Sequence, residues 1–298
     1  MFSAFIGIDW SGARGPRQPG IQIAMARPGE AVPQTMLAAD GRHWGREGVR
    51  DWLQQQASAT SEAPLLVGID FAFAHPFHDE GAYYPGLAGS PPDAAGLWQM
   101  VETVCGADPH LYGGAMFAAP GTGDYYLSPR NHAAPHYRSR RRQTELAARA
   151  SARAPSPTFK AIGADNVATG SMAGMRLIHA LKAALGPRLA VWPFDAVTQA
   201  RPAGPAMVLV EIFPSYYFHA AGMNPAKNAA ADPAFMSAAL AAYGSAGVGS
   251  GYAPRGADAD EADAIISAAA LRWFAGQAGC WDTPPAAARE GWILGVPS

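Results

Sequence analysis

The sequence predicts an α/β protein with a mixed sheet covered by helices. Short apolar runs at residues 2–10, 65–71 and 206–213 are bounded by Gly and Pro and read as buried strands. Longer stretches at 169–185 and 260–274 carry apolar residues at helical spacing. The order is strand, strand, strand, helix, strand, insertion, helix, strand, helix, which is that of a layered α/β domain.

Residues 2–10 form the first strand. After the turn SGARGPRQPG, residues 21–26 read as a second strand and 35–39 as a third. Residues 46–56 have helical spacing, with Val49, Trp52 and Leu53 on one face. Pro64 and Pro76 bound the apolar run 65–71. The stretch 75–165 holds HPFHDEG, two Tyr pairs and the basic run YRSRRRQ, and helices are expected near 94–105 and 140–150. A segment of that length inside a compact domain is functional or carries its own structure. Residues 169–185 form a helix with Met172, Met175, Ile178, Leu181 and Leu185 as its apolar stripe and Ser171 or Thr169 as its cap. A short strand at 189–192, a buried strand at 206–213 ending at Pro214 and a helix at 233–243 follow. A Gly/Ser-rich loop at 244–251 then leads to a helix at 260–274, whose first turn is acidic, as its dipole favours. No linker splits the chain cleanly.

Composition narrows the function classes. The chain has 298 residues, 49% of them hydrophobic and only 15% charged, enough for a sizeable core. Its formal net charge of −2 argues against non-specific coating of nucleic acid, so any such contact is local. Two cysteines and no CxxC argue against a disulfide framework. The N-terminus lacks a basic segment, and no apolar stretch approaches the ~20 residues a membrane span needs. A cytoplasmic, soluble protein without membrane partners is expected.

The chemistry starts from a repeated motif. FIGIDW and LVGIDF each place a carboxylate, Asp9 or Asp70, at the tip of a hydrophobic strand. Side chains alternate across a strand, so Gly7 shares a face with Asp9, and Gly68 with Asp70. The glycines are expected to leave space beside each charge for a cation or a phosphate. Two such carboxylates repel and need a cation, a shared proton or a basic partner. Mg²⁺ fits, because it takes one or two carboxylates and fills its other positions with water and phosphate oxygens. On the last helix Asp260 and Asp263 lie three apart at the head of a stripe through Ile266, Ala270 and Trp273 or Phe274. Asp258 and Glu261 are expected to be solvated. Glu211, flanked by apolar residues, either joins the acids or pairs with a buried Arg.

Other features carry less. Arg138, Arg140, Arg141 and Arg142, beside Tyr137 and His136, are the densest basic run. They read either as a phosphate-binding clamp or as a solvated helix start. His75, His78, His110, His132 and His136 lack a zinc-site spacing and read as loop histidines, one of which could shuttle a proton. GSGYAPRGAD and GTGDYY match no phosphate-loop pattern. Asp165, Asn166 and Ser171 read as capping residues near a helix N-terminus.

Taken together, IGIDWSG, VGIDFAF, GSMAGMRLIHAL, VEIFP, DADEADAIISAAAL and EGWI resemble the ribonuclease H-like superfamily. More closely, they resemble the predicted nucleases called domain of unknown function 429. The resemblance implies one domain over 1–298, and the stretch at about 75–165 reads as an insertion after the fourth strand. It implies metal-binding acids on the first strand, the fourth strand and the final helix, which fall on Asp9, Asp70 and Asp263, with Asp260 as a further candidate. Glu211 falls on the family's Glu-x-x-Pro strand. The implied activity is phosphodiester hydrolysis with Mg or Mn as cofactor and nucleic acid as substrate. The chain departs from the pattern in having Trp10 after the first acid and in its long insertion.

Two rival readings are open. A phosphotransferase or ATPase of the actin, hexokinase and sugar-kinase superfamily also opens on a strand ending in Asp-x-Gly, but DWSG is one residue off that spacing. VGIDFAF lacks the second phosphate loop, and Gly113-Gly114 is in the wrong half for the adenosine motif. The other rival is a catalytically inactive nucleic-acid-binding module on a nuclease scaffold.

Overall fold

In a computed structural model the chain folds around one mixed six-stranded sheet. The structure describes residues 2–60, 63–151, 155–163, 166–197, 204–225, 229–256 and 259–298. Strands β1 (Ala4–Asp9), β2 (Gln22–Ala26) and β3 (Gln34–Met36) form an antiparallel meander. Helix α1 (Arg46–Ala59) then leads to β4 (Leu65–Ile69), which pairs parallel to β1. Next come α2 (Ala94–Cys105), α3 (Gln143–Ser151) and α4 (Ala168–Leu185). They are followed by β5 (Leu189–Val191) and β6 (Met207–Glu211), and β6 lies parallel between β4 and β5. The sheet order is β3-β2-β1-β4-β6-β5. The chain closes with α5 (Pro214–Ala220), α6 (Pro233–Ala241), α7 (Asp260–Phe274) and α8 (Ala287–Glu290).

Helices cover both faces, which is why β1, β4 and β6 are continuously apolar rather than alternating. Ile6, Ile8, Val67, Ile69, Met207 and Leu209 pack beneath α1, α2 and α4. Phe5, Leu66, Val208, Val210 and Ile212 pack beneath α5, α6 and α7. Edge strand β3 is only three residues long and partly exposed, which limits its use as a pairing template.

The strands expected from the sequence are all present, each shorter by one to three residues. Helix α7 spans the expected 260–274, and its inward stripe ends on Phe274, leaving Trp273 at 39% exposure. The expected cap of α4 differs. Neither Ser171 nor Thr169 caps it; Thr169 donates to Asn166 Oδ1, while Ser171 Oγ bonds Val167 O and accepts from Ala72 N. Helix α5 was not expected, because Pro214 reads as a strand terminator. It is instead the first residue of the helix, where its missing N–H costs nothing.

The stretch after β4 carries its own structure. Besides α2 and α3, it holds 3-10 turns at Pro109–Leu111, Gly114–Phe117 and Thr122–Tyr125. His75 is fully buried there, within 2.8 Å of Thr158 Oγ1 and 2.7 Å of Tyr126 Oη. Burial and two nearby arginines hold its pKa well below the usual histidine value, so it stays neutral. Among the described residues no helix is long and apolar enough to cross a membrane.

Candidate functional site

Parallel pairing of β1 with β4 puts Gly7 opposite Gly68 and brings the two strand tips together. Asp9 ends β1 and is buried; Asp70 follows β4 and is half-buried. Helix α7 lies across β1 and β2 with Asp260 and Asp263 in its first turn. The Asp9 carboxyl is pushed well above the usual range, first by burial and then by the charges of Asp263, Asp70 and Asp260. Its opposing aid is one hydrogen bond, from Trp10 N to Oδ1 at 3.0 Å. Asp70 is raised likewise, by burial, Asp263 and Glu211. The four sequence-expected aspartates therefore share one neighbourhood.

The glycines do not serve the expected role. A Cβ on Gly7 would lie 2.4 Å from Ala264 O and 2.7 Å from Ala268 N, both backbone atoms of α7. A Cβ on Gly68 would meet Ile212 Cγ2 at 2.4 Å and Leu271 Cδ1 at 2.9 Å. The space is filled by close packing of α7 onto the sheet, leaving none for a cation. The glycines thus bring Asp260 and Asp263 to the strand tips instead of clearing room beside Asp9 and Asp70.

Glu211 lines the same cavity as Asp70 but by parity lies on the other face of the sheet from Gly7 and Gly68. It pairs in register with Ile69 and shares the α4 side of the sheet with Leu209, whereas Gly7 and Gly68 face α7. Its carboxylate receives Arg142 Nη2 at 2.5 Å and Nη1 at 2.7 Å, and Phe73 N at 3.1 Å. Arg142 also donates to Glu145 at 2.8 Å. Glu211 is therefore corrected from a candidate ligand to a positioning residue that fixes the backbone just after Asp70.

The basic run is corrected in the same way. Arg142 is 1% exposed and Arg140 7%. Arg140 forks onto Asp79 and donates to the carbonyls of Pro76, Ala82 and Tyr83, clamping the loop after β4. Arg141 donates to Pro155 O, while Arg138 is exposed and reaches only Tyr137 O, at 3.4 Å. Two of the four arginines are thus buried and spent on internal ion pairs and carbonyls rather than forming an open clamp. Glu261, expected in solvent, is buried and paired with Arg255 at 3.0 Å. Asp165 and Asp258 lie outside the described residues.

A cavity of about 530 Å³ opens where β1, β4 and β6 end, the usual place for ligands on a parallel sheet. Asp70, Trp10, Phe71, Phe213, Arg142 and Glu145 are among its walls; Asp9, Asp260 and Asp263 are not. Trp10 donates Nε1–H to Gly170 O at 3.1 Å and packs on Phe71, tying the strand tip to α4. Arg46, which sequence reasoning did not single out, donates to the carbonyls of Ser11, Ala13 and His110 and shapes the loop after Asp9. Nor did it single out Glu145, although its i,i+3 spacing from Arg142 is readable in RRQTE.

Among the described residues, no group of three or more His, Cys, Asp and Glu side chains is placed to hold a metal ion. A hard divalent cation can also be held by one or two carboxylates, with water and substrate oxygens filling its other positions. Asp70 suits that use: it lines the cavity, and only burial and acidic neighbours act on its charge.

Burial also pushes Glu145 up, to about 7, against the pull of Arg142. A carboxyl raised on folding binds its proton more tightly in the native state. Its contribution to stability is full below the ordinary value of 4.5 and is lost as pH rises through about 7. Asp9 and Asp70 act in the same direction. The melting temperature is expected to fall between pH 5 and pH 7.5. Differential scanning calorimetry across that range checks it, and a flat or rising profile would refute the assignment.

No family model, curated protein or solved structure matches this chain.

Proposed function

We propose that the protein is a metal-dependent phosphodiester hydrolase, a nuclease of ribonuclease H-like fold acting on nucleic acid with Mg²⁺ or Mn²⁺. The strand order, an antiparallel meander continued by parallel strands, supports the fold reading. The observation that carries the functional one is the mutual charge repulsion of Asp9, Asp70, Asp260 and Asp263 at the end of those parallel strands. A cation shared at Asp9 and Asp70, whose carboxyls are raised by burial and by neighbouring acids, would relieve that repulsion.

Asp70 would hold the cation from the cavity side, with Asp9, Asp263 and Asp260 as the further acids of the cluster. When bound, a divalent cation supplies positive charge against the phosphate as its ester bond breaks. The chain's own groups do the rest. Trp10 N–H orients Asp9, and Arg142 neutralises Glu211 so that it does not compete for the cation. Glu211 pins Phe73 N, and so keeps the Asp70 segment in place.

The test is a Mn²⁺-dependent cleavage screen over single-stranded, duplex and branched DNA and RNA, run beside Asp70→Asn. Cleavage is expected in the parent and is expected to drop by ~10²-fold or more in the variant. Mn²⁺ is expected to raise the melting temperature of the parent and not of Asp70→Asn. Equal stabilisation of both proteins would remove Asp70 from the site.

A further inference from the structure

A second cleft, of about 340 Å³, lies beside β2 and β3. Three of its ten lining residues, Arg17, Arg42 and Arg255, are arginines, and none is acidic. In a chain with 22 Lys and Arg among 298 residues, that is a concentration of positive charge. Two of the arginines are braced from behind. Arg17 forks onto Asp40 at 2.6 and 3.2 Å, and Arg255 onto Glu261 at 3.0 and 3.3 Å. Among the described residues this leaves Arg17 Nε, Arg255 Nη1 and the whole Arg42 guanidinium without a hydrogen-bond acceptor. Gln22, His43 and Trp44 complete the polar and aromatic lining.

The cleft adjoins the acidic cluster. Gln22 in its wall is the register partner of Asp9. Glu261, which braces Arg255, sits between Asp260 and Asp263 on α7. A Cβ on Gly20 would lie 3.8 Å from Asp260 Oδ2 and 3.6 Å from Ser11 Cβ, so the loop from β1 to β2 joins the two features.

We infer that this cleft binds the phosphate backbone of a single nucleic-acid strand, next to the bond held at the aspartates. The inference rests on the proposed nuclease reading and moves the substrate grip from the 138–142 run to the opposite end of the sheet. Arg42 is suited to it, because its planar fork matches phosphate and its charge does not titrate, while Arg17 and Arg255, whose forks hold Asp40 and Glu261, offer Nε and Nη1. Braced guanidiniums lose little entropy on binding.

The test separates the two readings by measuring binding without cleavage. Fluorescence anisotropy of a labelled single-stranded 12-mer is followed in EDTA over a salt series. Arg42→Ala is expected to weaken binding ~3–10-fold. It is also expected to flatten the slope of log K against log salt by ~0.7, the share of one phosphate contact on a single strand. Arg42→Lys should restore the slope, which a folding defect would not allow. Arg255→Ala should behave as Arg42→Ala does, and Arg138→Ala should bind as the parent. Binding unchanged in both Arg42→Glu and Arg255→Ala, a slope carried by Arg138, or no binding at low salt would each overturn the inference. Loss of Mn²⁺ cleavage in Asp70→Asn alongside normal binding by the arginine variants would leave the nuclease reading standing without this cleft. Retained cleavage in Asp70→Asn with binding lost in Arg42→Ala would do the reverse.

Discussion

Gly7→Ala is expected to destabilise the protein severely and to weaken whatever stabilisation divalent cations give it. The added methyl would meet backbone atoms of α7 at 2.4 and 2.7 Å, and backbone cannot rotate away. Helix α7 must lift off β1, carrying Asp260 and Asp263 with it. Overpacking of this kind costs ~1–3 kcal/mol and can exceed it when the obstacle is main chain. In a chain of this size each kcal/mol is worth ~2–4 °C of melting temperature. Gly48→Ala in α1 is the control. Its methyl would find Trp44 Cε3 at 3.8 Å, an ordinary contact, and the helix should gain a few tenths of a kcal/mol, ~0.4–1. A melting temperature unchanged in Gly7→Ala would mean that α7 is not seated on β1 as described.

Arg142→Ala is the second large effect. Arg142 bridges two buried carboxylates, at 2.5 Å to Glu211 and 2.8 Å to Glu145. Its removal leaves both without a cation, and breaking a buried pair this way costs ~3–5 kcal/mol. The loss should grow with pH, because at low pH Glu145 takes a proton in place of the arginine. Adding Glu145→Leu and Glu211→Leu to Arg142→Met should recover much of the stability, since an apolar replacement of a whole buried ion cluster removes the desolvation penalty as well. Thermal melts of the three proteins at pH 5 and pH 8 decide it. Equal stability of Arg142→Ala and the parent at pH 8 would show that Glu211 is neutralised by something else.

What could be read in the sequence was what depends on neighbours along the chain. Strands β1, β4 and β6 announce themselves as short apolar runs between turn residues. The bounds of α7 follow from its acidic first turn and its periodic small and apolar residues. The convergence of Asp9 with Asp70 was legible because the GID motif repeats and parallel pairing sets the copies side by side. The packing role of Gly7 and Gly68 was not, since the helix that fills the space comes about 190 to 260 residues later. The same limit applies to Arg142 and Glu211, which are 69 positions apart, and to Arg140 and Asp79, 61 apart. A run of arginines looks the same in sequence whether its members face solvent or brace the interior. The face of Glu211, by contrast, was available: it alternates with Leu209 and belongs on that residue's side.

The back wall of the cavity comes from the segment around residues 290–293. Ile293 bridges Glu211 and lines the cavity, while the Glu290 carboxylate accepts from the backbone of Phe77, His78 and Gln143. Until that segment leaves the ribosome, the loop after β4 and the start of α3 have no acceptor for those amides. A chain that stops before residue 290 therefore presents strand tips and acids without an enclosed cleft.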